Sequence, residues 1–169
     1  SARIDASGDN GGGEVLVGGD LMGENPDVPN ADAVFISDLA EVHADALTSG
    51  NGGKIVVFAE QSAKILGALS AHGGALSGDG GFVETSGRNS FSISKTPDIT
   101  ASNGSAGTWL IDPNNIDIVN GVGANINGAN PFLSTNDSAQ LDVALIVAAL
   151  TGGANVTVTT GTGGVNAQA

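Results

Sequence analysis

A short pattern recurs four times along the chain and limits the folds that the chain can adopt. Each copy is a pair of small residues followed by alternating apolar side chains, and the copies read GGEVLV, GGKIVV, GGFVET and AGTWLI. The second residue of each pair falls at 13, 53, 81 and 107, so the steps are 40, 28 and 26 residues. The first step contains a stretch rich in Pro, Asn and Asp, and setting aside its twelve residues at 21–32, LMGENPDVPNAD, leaves 28. A period of this length indicates units that stack on one another to bury a shared core.

Two further apolar segments accompany each copy, so the repeating unit is expected to carry three short strands. We therefore predict an all-β solenoid with three strands in each coil of about 26–28 residues. Alternation along the second strand assigns a facing to each side chain. It directs Glu14, Lys54 and Glu84 to water and places Glu14 beside Lys54 on the adjacent coil. The inward positions, which form the predicted core, are Val15, Val17, Ile55, Val57, Val83, Trp109 and Ile111.

The outer face of the same strands is unusually apolar for a surface. It carries Leu16, Val56, Phe58, Phe82 and Leu110, which predicts that another element covers it. The candidate cover is a helix near 138–150, capped by Asp137 or Ser138 and ended by Gly152 or Gly153. This helix is apolar all round, which is typical of a buried helix.

Composition narrows the class of protein and its partners. Hydrophobic residues make up 40% of the chain beside 27 glycines, which argues against disorder. The net charge of −13 disfavours nucleic acid and anionic lipid as partners. The absence of cysteine excludes a disulfide scaffold, and no apolar stretch is long enough to predict a membrane span.

The domain organisation predicted from these features is one segment, 1–169, of a longer secreted protein. It contains the loop insertion at 21–33 and a helical insertion at 120–153, after which the solenoid resumes over 154–169. A strand-like start at Ser1 favours a piece of a longer chain.

An ordered series of motifs resembles the passenger region of filamentous-haemagglutinin-like exoproteins, the large secreted adhesins of bacterial two-partner secretion. The series is NGGKIVVFAEQSAKILGALSAHGGALSGDGGFVETSG, then AGTWLIDPNNIDI, then GANVTVTTGTGG. The similarity covers roughly residues 1–118 and 134–164. It implies a right-handed parallel β-helix, export through an outer-membrane secretion partner, and a role in adhesion or biofilm at the bacterial cell surface. The loop at 21–33 and the stretch 120–133 depart from the family pattern.

Catalytic and metal sites find little support in the sequence. His43 and His72 are the two histidines, and they show no zinc-binding spacing. In the other coils, the position equivalent to His43 is expected to hold Asp5, Ser70 or Thr100, which differ chemically from histidine and argue against a catalytic role. The acids considered as a glycosidase pair are Asp5, Asp45, Glu84, Asp112 and Asp117, and no two occupy equivalent adjacent slots. No cofactor is predicted, and calcium on the acidic surface, near the turn residues Asp9 and Asp79, is only a weak alternative.

The stretch Asp112, Pro113, Asn114 and Asn115 is predicted to be a corner, because proline ends a strand and asparagine tolerates left-handed backbone. The loop residues Asn25, Asp27 and Asn30 are the candidate binding residues. The predicted function is a non-catalytic adhesin segment that contributes a stalk and a shallow binding surface. Its expected partners are glycans, matrix polysaccharide or copies of itself. A self-associating structural subunit of an extracellular filament and a carbohydrate-active enzyme are the alternatives.

Overall fold

The computed structural model describes residues 2–121 and 139–160. Within these ranges the chain forms thirteen short β-strands, a 3-10 turn at Leu21–Gly23 and one α-helix, α1 (Val143–Thr151). The strands are β1 (Arg3–Asp5), β2 (Glu14–Val17), β3 (Ala33–Ile36), β4 (Glu41–His43), β5 (Lys54–Ala59), β6 (Ser62–Ile65), β7 (Ala68–Ser70), β8 (Phe82–Gly87), β9 (Ser90–Ile93), β10 (Thr108–Ile111), β11 (Ile116–Val119), β12 (Ala139–Asp142) and β13 (Asn155–Val158).

The described strands form four sheets in which neighbouring strands run parallel. Their orders are β13-β10-β8-β5-β2, β1-β4-β7, β3-β6-β9 and β11-β12. In the five-stranded sheet, register partners are equivalent positions of successive sequence repeats, so that Glu14 lies beside Lys54 and Lys54 beside Phe82. The predicted Glu14–Lys54 pair is confirmed, with 2.8 Å between Lys54 Nζ and Glu14 Oε1.

The predicted fold class, an all-β right-handed parallel β-helix with three strands in every coil, is wrong. The described chain is mixed α/β, with separate parallel sheets of five, three, three and two strands and a helix that follows directly on β12. The two three-stranded sheets end after the third repeat, where a single bridge joins Ser70 to Asp98, whereas the five-stranded sheet continues into β10. Pro97 precedes that bridge and has no N–H to donate to a strand ladder. β11 pairs with β12 and does not extend the β3-β6-β9 sheet.

The positions that alternation directs inward face one hydrophobic core. Val17 is partly buried and packs against this core. The other six are buried: Val15, Ile55, Val57, Val83, Trp109 and Ile111. The Trp109 side chain is fully buried, and its indole N–H donates to Thr85 Oγ1 at 2.9 Å. Side chains from the two three-stranded sheets, such as Val42 and Phe91, complete the same cluster.

The glycine pairs of the repeat are required by the close approach of successive repeats. A Cβ atom at Gly52 would overlap the carbonyl oxygen of Ala71, and one at Gly80 would overlap that of Ile99. No larger residue fits between these backbones without moving them, so the pairs have a packing role.

The helix begins later than predicted. Residues Ala139–Asp142 form β12 and pair with β11, so the helix begins at Val143. Asp142 caps it by accepting a hydrogen bond from the Ala144 N–H at 2.9 Å, while the predicted caps Asp137 and Ser138 lie outside the described residues. The predicted end at Gly152 is confirmed, since Gly152 is the C-terminal cap.

The predicted role of the helix as a buried cover for the outer face is also wrong. Helix α1 packs against β12 and β13. Ala149 is its buried residue, whereas Val147 and Leu150 are each 54% exposed. An apolar composition indicated burial but could not indicate which surface the helix contacts. Strand pairing resumes in β13, which pairs with β10. Of the predicted helical insertion at 120–153 and the predicted final solenoid segment at 154–169, residues 122–138 and 161–169 lie outside the described residues.

Candidate functional site

The loop between β2 and β3 covers the part of the outer face of the five-stranded sheet that holds Val56, Phe58 and Glu84, whereas Leu16 on the same face is exposed. We call residues 18–31 the strap. Its ends meet, because the Ala31 N–H donates to the Gly18 carbonyl oxygen at 2.7 Å, as in a compact Ω-type loop. Its 3-10 turn packs on β5. The loop therefore lies on the sheet and occupies the place that the sequence assigned to the helix.

Phe58 is the main apolar contact beneath the strap. Its side chain is 1% exposed, and its neighbour Val56 is fully buried. A Cβ atom on Gly23 would overlap the Phe58 ring, and Gly23 has a φ of 66°, which glycine adopts readily. The Arg88 guanidinium lies 5.4 Å from the ring centroid, within cation–π range. The strap, the ring and this cation form one packed unit.

Glu84 is a buried carboxylate that holds the strap from below. The Met22 N–H lies 3.1 and 3.2 Å from its two carboxylate oxygens, and the Ser86 hydroxyl donates to Oε1 at 2.8 Å. Met22 has a φ of 55°, which is uncommon for a residue other than glycine. Burial raises the pKa of Glu84, and the nearby Asp112 carboxylate adds to the rise. The prediction that Glu84 points to water is wrong, because the strap covers it.

A polar network fastens the start of the strap to β5. Lys54 Nζ lies 3.0 Å from Asp20 Oδ1, in addition to its contact with Glu14. Hydrogen bonds from the Asn25 side chain, the Leu21 N–H and Lys54 lower the pKa of Asp20 to about 2. The Asp20 carboxylate is therefore ionised at neutral pH and joins the turn, the loop and the sheet.

The three residues predicted to bind a ligand divide into two kinds. Asn25 and Asn30 brace the loop: the Asn25 amide donates to Asp20 Oδ2 at 2.7 Å, and the Asn30 amide donates to the Gly23 carbonyl oxygen at 2.9 Å and to Glu60 Oε1 at 2.8 Å. Asp27 is exposed, and its N–H donates to Asn25 Oδ1 at 3.0 Å. Of these three residues, Asp27 is the one whose side chain is exposed and could contact a partner.

The corner residues connect β10 to β11 and tie that corner to the preceding repeat. The Asp112 N–H donates to Ser86 Oγ at 3.3 Å, and Asp112 Oδ1 accepts from Thr159 Oγ1 at 2.5 Å. The Asn114 N–H donates to the Arg88 carbonyl oxygen at 2.7 Å. Pro113 and Asn115 are buried, and the Asn115 carbonyl accepts from the Ala139 N–H at 3.0 Å.

A second polar cluster lies on the β1-β4-β7 sheet around Asp45, which is 5% exposed. Asp45 Oδ1 accepts from Ser70 Oγ at 2.6 Å and from the His72 N–H at 3.0 Å. Asp45 Oδ2 lies 3.0 Å from His43 Nδ1 and 3.6 Å from His72 Nε2. The structure therefore brings both histidines to one carboxylate. The sequence analysis missed this cluster because it compared only equivalent positions in successive repeats, and His43 and His72 are not equivalent positions.

The assignment of the His43 slot needs one correction. Asp5 and Ser70 flank His43 in the sheet, as predicted, but the bridge partner of Ser70 is Asp98 and not Thr100. The sequence signal for the cluster was present, because His43 and Asp45, like Ser70 and His72, are two positions apart and project to the same side of the chain.

The carboxylates considered for catalysis already bind groups of the protein. Glu84 and Asp112 come near one another through the Ser86 hydroxyl, yet Glu84 holds the Met22 N–H and Asp112 holds the corner. Asp5 binds Arg3 at 2.7 Å, and Asp117 lies exposed on β11. These contacts assign Glu84 and Asp112 structural roles in the strap and the corner.

Among residues 2–121 and 139–160, no group of three or more His, Cys, Asp or Glu side chains is arranged to hold a metal ion. Asp79, one of the two turn residues considered for calcium, accepts the Ser105 N–H at 2.8 Å. The described part of the chain also holds no helix with the length and apolarity needed to cross a bilayer. No protein-family model and no curated protein sequence matches the chain. The resemblance to exoprotein passenger regions therefore rests on the motifs quoted above.

Proposed function

We propose that this chain is a non-catalytic segment of a large secreted bacterial surface adhesin and that the strap is its recognition loop. The observation that carries the proposal is the bracing of the strap. Asp20, Asn25 and Asn30 tie the loop to itself, while Glu84 and Lys54 tie it to the sheet. A loop held by a rigid sheet binds a partner without a large ordering cost.

The ligand class that fits this loop is a glycan or matrix polysaccharide. Glu24 and Asp27 project from the strap into solvent. Their carboxylates accept hydrogen bonds from sugar hydroxyls, and the net charge of −13 disfavours polyanionic ligands. Binding through a few such contacts is weak for one copy and gains strength through repeated engagement. As part of a two-partner exoprotein, the parent would leave the cell through an outer-membrane secretion partner.

The test is binding of the chain to an immobilised panel of neutral and acidic glycans. Glu24→Gln and Asp27→Asn, separately and together, are expected to reduce binding to the glycans that the wild type retains. Asp38→Asn is the matched control, because Asp38 is exposed and lies outside the strap. Deletion of 21–33 is a poorer test, since it would uncover Phe58.

Three outcomes would contradict the proposal. Glycan binding that the double variant retains in full would exclude the strap as the recognition loop. Failure to bind any glycan, with concentration-dependent assembly in sedimentation, would favour the filament subunit. Turnover of an oligosaccharide panel that Asp112→Asn abolishes would favour an enzyme.

A further inference from the structure

Two turns of the chain carry the same tripeptide, Asn-Gly-Gly, in different hydrogen-bonded surroundings. They are the turns at 10–12 and 51–53, and both asparagines, Asn10 and Asn51, are exposed. An asparagine followed by glycine is prone to cyclise, because glycine has no side chain to hinder attack by its backbone nitrogen on the asparagine amide. Local sequence therefore predicts equal reactivity at the two sites, and a difference between them has to come from the fold.

The attacking nitrogen is engaged at one site and not at the other. The Gly52 N–H donates to the Asp79 carbonyl oxygen at 2.9 Å, so this nitrogen must leave its hydrogen bond before it attacks Asn51. Within the part of the chain that the structure describes, the Gly11 N–H donates no hydrogen bond. A backbone hydrogen bond holds both the position and the proton of a nitrogen, so Gly11 is the more reactive nucleophile of the two.

The side-chain oxygen of Asn10 accepts a hydrogen bond that favours the same reaction. The Ser49 hydroxyl donates to Asn10 Oδ1 at 3.0 Å. Attack places negative charge on this oxygen, and a donor directed at it stabilises that charge. Asn51 Oδ1 also has a donor, the Asp79 N–H at 2.9 Å. The two sites therefore differ mainly in their attacking nitrogens.

We propose that Asn10 is a site of spontaneous modification, at which Asn10 and Gly11 cyclise with Ser49 as the activating donor. A bond forms between the Gly11 nitrogen and Asn10 Cγ, the bond from Cγ to Nδ2 breaks, and ammonia leaves with the proton that the Gly11 nitrogen gives up. Water then adds to either carbonyl carbon of the cyclic imide and opens it. The products are aspartate and isoaspartate, and no oxidant or reductant takes part.

The modified turn joins the first two repeats, so the reaction is expected to loosen this junction. The Asp9 carbonyl oxygen accepts from the Thr48 N–H at 3.1 Å and from the Ser49 N–H at 2.9 Å. Isoaspartate lengthens the main chain directly after these bonds. Both products also place a carboxylate beside Asp9, in a chain whose net charge is already −13.

The test is ageing of the folded chain in mildly alkaline buffer, followed by peptide mapping with mass spectrometry that separates the aspartate and isoaspartate forms. Asn51 is the control within the same chain, since its tripeptide is identical and it is also exposed. Asn10 is expected to convert about tenfold faster than Asn51, the factor that corresponds to opening one backbone hydrogen bond. In urea, which removes that bond, the two sites should convert at similar rates.

Equal conversion of the two sites in the folded chain, or faster conversion of Asn51, would overturn the proposal. So would an Asn10 that stays intact over a period in which the chain in urea converts. In the aged wild type, amide hydrogen exchange of Thr48 and Ser49 should become faster. The variant Asn10→Gln, whose longer side chain cyclises less readily, should show no such change.

Ser49→Ala and Ser49→Thr test the activating donor. Loss of the hydroxyl is expected to slow conversion of Asn10 by about threefold, far less than the factor of about 100 or more for an oxyanion donor in an enzyme, because Asn10 is exposed. Ser49→Thr keeps a hydroxyl and should retain most of the wild-type rate, and neither variant should change the rate at Asn51. Unchanged or faster conversion of Asn10 in Ser49→Ala would overturn the role of Ser49.

Discussion

The substitution Trp109→Ala tests whether the Trp109 side chain fills the centre of the hydrophobic core. The Trp109 side chain is fully buried, its strand neighbours on either side are Val83 and Val156, and its indole N–H donates to the hydroxyl of Thr85, which is itself 0% exposed. Truncation of a buried tryptophan to alanine costs about 3–5 kcal/mol through lost burial and the remaining cavity. The Thr85 hydroxyl would lose its donor, which adds about 1 kcal/mol. Such a loss is a large fraction of the stability of a typical domain, about 5–15 kcal/mol.

The measurement is the free energy of unfolding in urea, followed by far-ultraviolet circular dichroism because the variant lacks the single tryptophan and the chain has no tyrosine. Trp109→Phe and Thr85→Val, alone and combined, separate the two contributions. The first retains a ring without the donor, and the second removes the acceptor. Coupling between them should be near 1 kcal/mol. A cost of less than about 1 kcal/mol for Trp109→Ala would refute the assignment of Trp109 to the centre of the core.

Three further substitutions test the strap and the helix. Burial raises the pKa of Glu84, so the folded state binds a proton more tightly than the unfolded state, and stability should fall as pH rises above the ordinary glutamate value of about 4.3 through the raised value. In urea titrations across that range Glu84→Gln should flatten this decrease, and an unchanged profile would contradict the assignment. Gly23→Ala should destabilise the chain by more than about 1 kcal/mol, because it combines a positive φ with overlap on Phe58, and thermal unfolding at or above the wild-type temperature would exclude that contact. Asp142→Ala should cost about 1 kcal/mol through loss of the cap on Ala144, whereas Asp142→Asn should retain most of it in the same assay.

Part of the strand arrangement could be predicted from the repeat and the alternation. The neighbours Glu14 and Lys54 follow from equivalent positions in two repeats, and the inward row through Ile55, Val83 and Trp109 follows from a period of two. The start of the helix could not be predicted in this way. Residues Ala139–Asp142 continue the apolar pattern of the helix, but they pair with β11, a partner that local spacing does not reveal.

The candidate site was predicted less well, because alternation assigns a residue to a side of a sheet and not to a degree of burial. Glu84 and Phe58 were correctly placed on the outer side of their strands, yet both are buried because the strap lies over them. The excess of apolar residues on that face did indicate a cover. The choice between the nearby loop and the distant helix depended on contacts, such as that of Gly23 with Phe58, that involve turn geometry as well as composition.

By itself, the sequence determined which strand positions align and which side chains turn inward, because a repeated period and a side-chain alternation of two are local properties. Only the tertiary structure decided that a loop covers part of the outer face, that the helix is largely exposed, and that His43 and His72 both contact Asp45. Each of these depends on contacts between residues far apart in the chain. Their free energies, which set the final arrangement, are not encoded in any short stretch of sequence.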